Sequence, residues 1–141
     1  MPYIKDHTII PLFEGYCYQD DIDGKEISAV ISGTPVKLTV ASTDTSKSKG
    51  YSNKSEPEEN KGMMFVFDKE ENLGFWMKDV DFPLDILFFN SNGDLVKHHT
   101  MPTVKDNKLI TYNSEKPARF AVELRKGWCS DHLKDNCKLH F

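Results

Sequence analysis

The grouping best equipped for chemistry is Trp76-Met77-Lys78, with Asp85 a hairpin's distance further on. On an extended chain Trp76 and Lys78 point to one face and Met77 to the other. A lysine held against a carboxylate beside a large aromatic ring can bind a carboxylate or phosphate ligand, or act as a desolvated base. The plainer reading, which the residue types favour, makes Trp76 a core anchor and Lys78–Asp85 a structural pair. Arg119 and Glu123 lie four apart in an apolar stretch, hence on one face of a strand. They either extend a polar site toward Lys78 or, as the favoured reading, form an ion pair at a surface or edge.

The C-terminus carries two Cys-x-x-His pairs, Cys129 with His132 and Cys137 with His140. Four such ligands can close a tetrahedron around zinc, although the spacing matches no familiar finger. A Cys129–Cys137 disulfide is the second reading, and ordinary thiols are the favoured one; Cys17 has no match. His98 and His99 are adjacent, so on a strand they face opposite ways and do not make a simple ligand pair. The run Asp20-Asp21-Ile22-Asp23-Gly24-Lys25 is a turn signature. It departs from a calcium loop because Gln19 and Val30 stand where the first and last ligands belong. No Ser-His-Asp order, glycine-rich phosphate loop or zinc-protease helix motif occurs. The expectation is therefore no cofactor, and a leaning away from enzyme.

Composition narrows the partners. The 141 residues suffice for one hydrophobic core. Charged residues make up 28% and the net charge is −4, a globular, acidic chain without the basic balance that nucleic-acid binding needs. Lysine dominates the cations; only Arg119 and Arg125 are guanidinium groups. No apolar stretch reaches the roughly 20 residues of a membrane span. Met1 to Phe13 lacks the basic region and continuous apolar run of a secretory signal, so the expected location is cytoplasmic, and Asn53-Lys54-Ser55 is no working glycosylation site.

The elements that must position these residues are short strands. Glu26 to Ile31 and the alternating Val36 to Val40 predict two. Thr43 or Asp44 can cap a short helix over Thr45 to Lys49, stopped by Gly50. Apolar runs at Met63–Phe67, Leu73–Met77 and Leu84–Phe89 follow, the last ended by the turn Asn90-Ser91-Asn92-Gly93. Asp94–His98, Lys108–Tyr112 and Arg119–Leu124 read as strands, Lys126–Leu133 as a short helix, and Lys138–Phe141 as a closing strand. This is a mainly β chain: a compact sandwich or jelly-roll-like fold, or a distorted barrel of mostly antiparallel strands with one or two short helices. Residues 1–33 read as an N-terminal extension and 34–141 as a single domain.

Gly62-Met63-Met64-Phe65-Val66-Phe67, then Phe75-Trp76-Met77-Lys78, then Pro83-Leu84-Asp85-Ile86-Leu87-Phe88, is an ordered pattern with defined gaps. Downstream stand Pro117-Ala118-Arg119-Phe120-Ala121-Val122-Glu123-Leu124 and Gly127; upstream, Thr43-Asp44-Thr45 and Gly50. Over roughly residues 34–130 the chain resembles the domain of unknown function 192 family. That resemblance implies a compact, mostly β domain of sandwich or jelly-roll type, from a family of unknown activity whose members are often exported. The chain departs from the family pattern at Tyr51, Ser52 and Lys54, where Leu, Met and Arg are usual, and at Asp79-Val80, where Asn-Thr is usual.

The expected function is a non-enzymatic binding or structural module, with residues 1–33 as an arm toward a protein partner. Were the source a virus, a virion or capsid accessory role would suit it. The alternative is a small-anion-binding protein or enzyme built on Trp76, Lys78, Asp85, Arg119 and Glu123. Neither nucleic acid nor membrane is an expected partner.

Overall fold

The computed structural model describes residues 19–141. After a single helical turn, α1 (Gln19–Ile22), the chain forms β1 (Glu26–Ile31), β2 (Thr34–Ala41), α2 (Asp44–Lys49), β3 (Lys61–Glu71), β4 (Gly74–Phe75), β5 (Leu84–Phe89) and β6 (Leu95–Met101). Then come β7 (Tyr112–Asn113), β8 (Ala118–Arg125), α3 (Trp128–His132) and β9 (Leu139–His140). The fold is mainly β: a curled seven-stranded sheet in the order β6-β5-β8-β3-β2-β1-β9, with a two-stranded ribbon, β4-β7, beside it.

Every pairing in the large sheet is antiparallel except β2 with β3. Parallel neighbours need a long crossover, and Ser42 to Asn60, carrying α2, supplies it. Thr43 caps α2 as expected, its hydroxyl accepting from the Ser46 amide, and Gly50 ends the helix at a left-handed φ of 46°.

Alternation along the strands sends side chains to two apolar layers. One holds Ile31, Leu38, Met64, Leu87, Phe120, Val122 and Trp128; the other holds Phe65, Leu73, Met77, Leu84, Ile86, Phe88 and Ala121. The central strands β5 and β8 are buried on both faces, which is why they read as unbroken apolar runs.

Three local readings change. Residues 20–22, read as turn, belong to α1, and the turn comes at Gly24 with φ 78°. Lys108 to Tyr112 is not a strand: Lys108 makes an isolated bridge to Lys105, Tyr112–Asn113 pairs with β4, and Leu109 and Ile110 between them are exposed. Leu73–Met77 contributes just Gly74–Phe75 to a ladder. The strand expected at Glu26–Ile31 pairs along its whole length with β2, so the position taken for the end of an extension, residue 33, falls in the β1–β2 hairpin. Residues 1–18 of that extension, with Cys17, lie outside the described residues.

Candidate functional site

The residues singled out by spacing are dispersed. Asp85 is buried and points away from Lys78, into the layer that holds Trp128. Its Oδ1 accepts from Thr100 Oγ1 at 2.9 Å, and its Oδ2 from the amides of Gly127 at 3.1 Å and Cys129 at 2.9 Å. These donors explain the buried acid: it caps α3 from a neighbouring strand, where Gly127 offers no side chain to do so. The Lys78–Asp85 pair is therefore not formed. Lys78 is exposed on a turn, 6.0 Å from the Trp76 ring, beside a separate cleft lined by Asp79, Asp81, Thr103 and Asn107. Trp76 is not a core anchor: it is 53% exposed, while Met77 fills the core instead.

Arg119 and Glu123 do share a face of β8, as the period-two argument requires. Both are buried, however, and they are not an ion pair. Four residues along a strand set them about 13 Å apart. Arg119 Nε instead donates to the Phe67 carbonyl at 3.1 Å. There the β3–β8 register shifts between Val66 and Glu71, and carbonyls leave the ladder. Lys47 repairs the adjoining position, its Nζ donating to Val66 O at 3.0 Å and lying 4.2 Å from the centre of the Phe67 ring. Burial lowers the Lys47 ammonium, against the opposing pull of Asp44, Asp68, Glu71 and Asp23.

Glu123 has no such partner. In register it stands between Met63 of β3 and Ile86 of β5, both apolar and buried. It is 4% exposed, and burial alone pushes its carboxyl up to about 8, with no hydrogen bond or ion pair offsetting it. The group is therefore mostly protonated at neutral pH. It borders a cavity of about 250 Å³ whose walls are α2 and the segment after it (Lys47–Ser52), β3 (Phe65, Phe67), and Gly74, Phe75, Trp76 and Val80. Tyr51 stands in the same wall; burial raises its hydroxyl above the usual tyrosine range, and Glu123 adds to the rise. Three positions where the chain departs from the resemblance, Tyr51, Ser52 and Val80, line this cavity. Period-two spacing found Glu123. It could not find the cavity, which needs Trp76 and Tyr51 brought over β8 from elsewhere in the chain.

The four C-terminal Cys and His residues do not form one cluster, although the two thiols are near each other. Cys129 and Cys137 are free, buried thiols. Burial raises both, and the nearby Asp85 and Cys137 add to the rise at Cys129. His132 stacks on Trp128 with its ring centre 4.8 Å away, and His140 is exposed on β9. Among the described residues no cluster of three His, Cys, Asp or Glu side chains could hold a metal ion. Asp23, the last acid of the calcium-like run, is instead a cap: Oδ1 accepts from Ser42 N at 2.8 Å and Ser46 Oγ at 2.6 Å. His98 and His99 face apart, and His99 Nε2 donates to the Asn113 carbonyl at 2.8 Å. No helix among the described residues is long and apolar enough to cross a membrane.

The model of the DUF192 family, described as an uncharacterised ACR, matches residues 27–140. The chain belongs to the DUF192 family. No curated protein matches this DUF192 chain. Among the solved structures that share its fold are two crystal structures. One, from Sinorhizobium meliloti 1021, is described as a "putative transcription regulator"; it is 20% identical, superposes with a TM-score of 0.70, and the match covers 82% of this chain and 91% of that one. The other, a protein of unknown function from Novosphingobium aromaticivorans DSM 12444, is 20% identical with a TM-score of 0.72, over 82% and 85% of the two chains.

Proposed function

We propose that this DUF192 domain is a non-enzymatic small-molecule-binding module whose recognition group is Glu123. One observation carries the reading. A carboxyl buried among apolar side chains and left without a hydrogen bond costs stability, yet this one borders a cavity large enough for a small ring. A ligand that hydrogen-bonds Glu123 would recover that cost. The surrounding aromatic walls supply apolar contact, and the single convergent polar group supplies orientation, the usual division of labour in ligand pockets. The reading is binding rather than catalysis because the carboxyl has no hydrogen-bonded second group to act with it, whereas proton-transfer sites pair their players.

The anion-binding alternative built on Lys78, Asp85 and Arg119 loses its geometry. Asp85 lies on the opposite face of the sheet with both oxygens engaged, and Lys78 borders a different cleft. The test is protein-observed NMR at pH 7 with a library of neutral, cationic and anionic small rings. Hits should shift the amides of Gly50–Ser52, Phe65–Phe67, Gly74–Trp76 and Glu123 together. Hits confined to the cleft between Lys78 and Leu109, or scattered over the surface, would sink the proposal.

A further inference from the structure

The chemistry of the walls narrows the ligand class. This step rests on the pocket reading above and goes beyond it. Two cations already stand in the cavity's wall: the Lys47 ammonium, anchored on Val66 O and over the Phe67 ring, and Lys49 further along α2. A cationic ligand would enter beside Lys47 and would require Glu123 to ionise where burial opposes charge. An anionic ligand would give up its hydration for a cavity whose inner polar group is an uncharged carboxyl. The Lys47 it would meet already has Asp44, Asp68 and Glu71 near it, although burial outweighs their pull. A neutral hydroxyl suits the site better. A protonated carboxyl both donates and accepts, as a hydroxyl does, so each satisfies the other without moving charge. At the mouth Trp76 offers an exposed ring face against which the C–H face of a saturated ring can lie. The cavity, about 250 Å³, is below the size of drug pockets and fits one ring rather than a chain of them.

We propose that the ligand is a neutral, hydroxyl-bearing ring of monosaccharide size, with a hydroxyl paired to Glu123 and its carbon face on Trp76. Titration of the full chain followed by Trp76 fluorescence tests this, since Trp128 is buried in the other layer. The probes are glucose, galactose, mannose, ribose and myo-inositol, with benzylammonium and benzoate as charged comparators. At least one polyol should bind saturably. Glu123→Gln keeps a donor and an acceptor, so it should hold the affinity within about threefold, while Glu123→Leu should lose roughly tenfold or more. Trp76→Ala, followed by NMR, should weaken binding at least about fivefold. If benzylammonium binds and Glu123→Gln abolishes it, or if benzoate alone binds, the polyol assignment is overturned while the pocket reading survives. If no probe of any charge shifts the cavity amides, both fall.

Discussion

Two buried acids on adjacent strands define the residue scale. Asp85 has three donors; Glu123 has none. Sequence patterning treated both as members of one polar constellation, because spacing reports the face of a strand but not what lies across it. Removing the Asp85 carboxylate should strand the Gly127 and Cys129 amides and the Thr100 hydroxyl. Asp85→Ala is expected to cost about 3 kcal/mol in urea unfolding. Glu123→Leu should do the reverse and stabilise the ligand-free protein, as expected where an apolar side chain replaces an unpartnered polar group. The pH dependence follows from the sign of the Glu123 shift. Its folded value, about 8, lies above the ordinary 4.5. The unfolded chain therefore releases this proton first, and stability falls as pH rises through that interval, by several kcal/mol in all. Urea midpoints from pH 4 to 9 should show the decline in wild type and not in Glu123→Gln. Parallel curves for the two would show that Glu123 is not the source.

At the scale of elements, the cavity exists because three pieces stop short. The β3–β8 ladder breaks after Val66, β4 is two residues long, and the chain then turns through Asp79 at a left-handed φ of 60°. These interruptions leave Trp76 outside the core and let α2 lie over β3. The helix itself was legible, from Thr43 to Gly50, because capping chemistry is local. The interruptions were not: Leu73–Met77 and Lys108–Tyr112 have strand composition, and only the partner strands decide how much of each pairs. Asp23 ties α2 to the start of the domain through Ser42, Thr43 and Ser46. Burial alone would raise its carboxyl, yet these hydrogen bonds together hold it below the ordinary value. That stabilisation is present above the ordinary carboxylate range and is lost as pH falls through the lowered folded value. Asp23→Ala should cost about 1 kcal/mol at neutral pH, since the group is largely solvated, with the deficit closing in acid. Because α2 forms a wall of the cavity, ligand affinity should fall in the same variant. A stability loss at pH 7 that persists undiminished in acid would contradict this account.

For the whole molecule, the sequence announced a barrel or sandwich but not how it closes. Closure is non-local, and no window of sequence contains both sides of the seam. The two edges of the sheet, β9 and β6, meet through the C-terminal strand. On one side Leu139 and His140 pair with Ile31 and Val30, and Ser32 N donates to Lys138 O. On the other, Leu139 N donates to Gly93 O, Leu95 N donates to Cys137 O, and Asp94 bridges Lys138. Gly93 is required there: a side chain at its position would meet Leu139 O at 2.7 Å. Leu139 and Phe141 carry the seam's apolar contact, Phe141 meeting the Phe120 ring edge-on at 5.8 Å. The Lys138–Asp94 ion pair, half-exposed on both sides, adds little. Deleting residues 138–141 removes the backbone pairing together with two apolar side chains. The expected cost is about 4–5 kcal/mol, a large share of the stability of a domain this size. Hydrogen exchange should speed up first at Ser32, whose acceptor is gone, and at Ile31 beside it. The Glu123 cavity lies on the opposite layer from this seam, so polyol affinity measured below the unfolding transition should be unchanged by the deletion. An unaltered urea midpoint would mean that the curled sheet holds its shape without the seam. Loss of affinity at full folding would mean that the two layers are coupled through β8, which carries Glu123 on one face and Phe120 on the other.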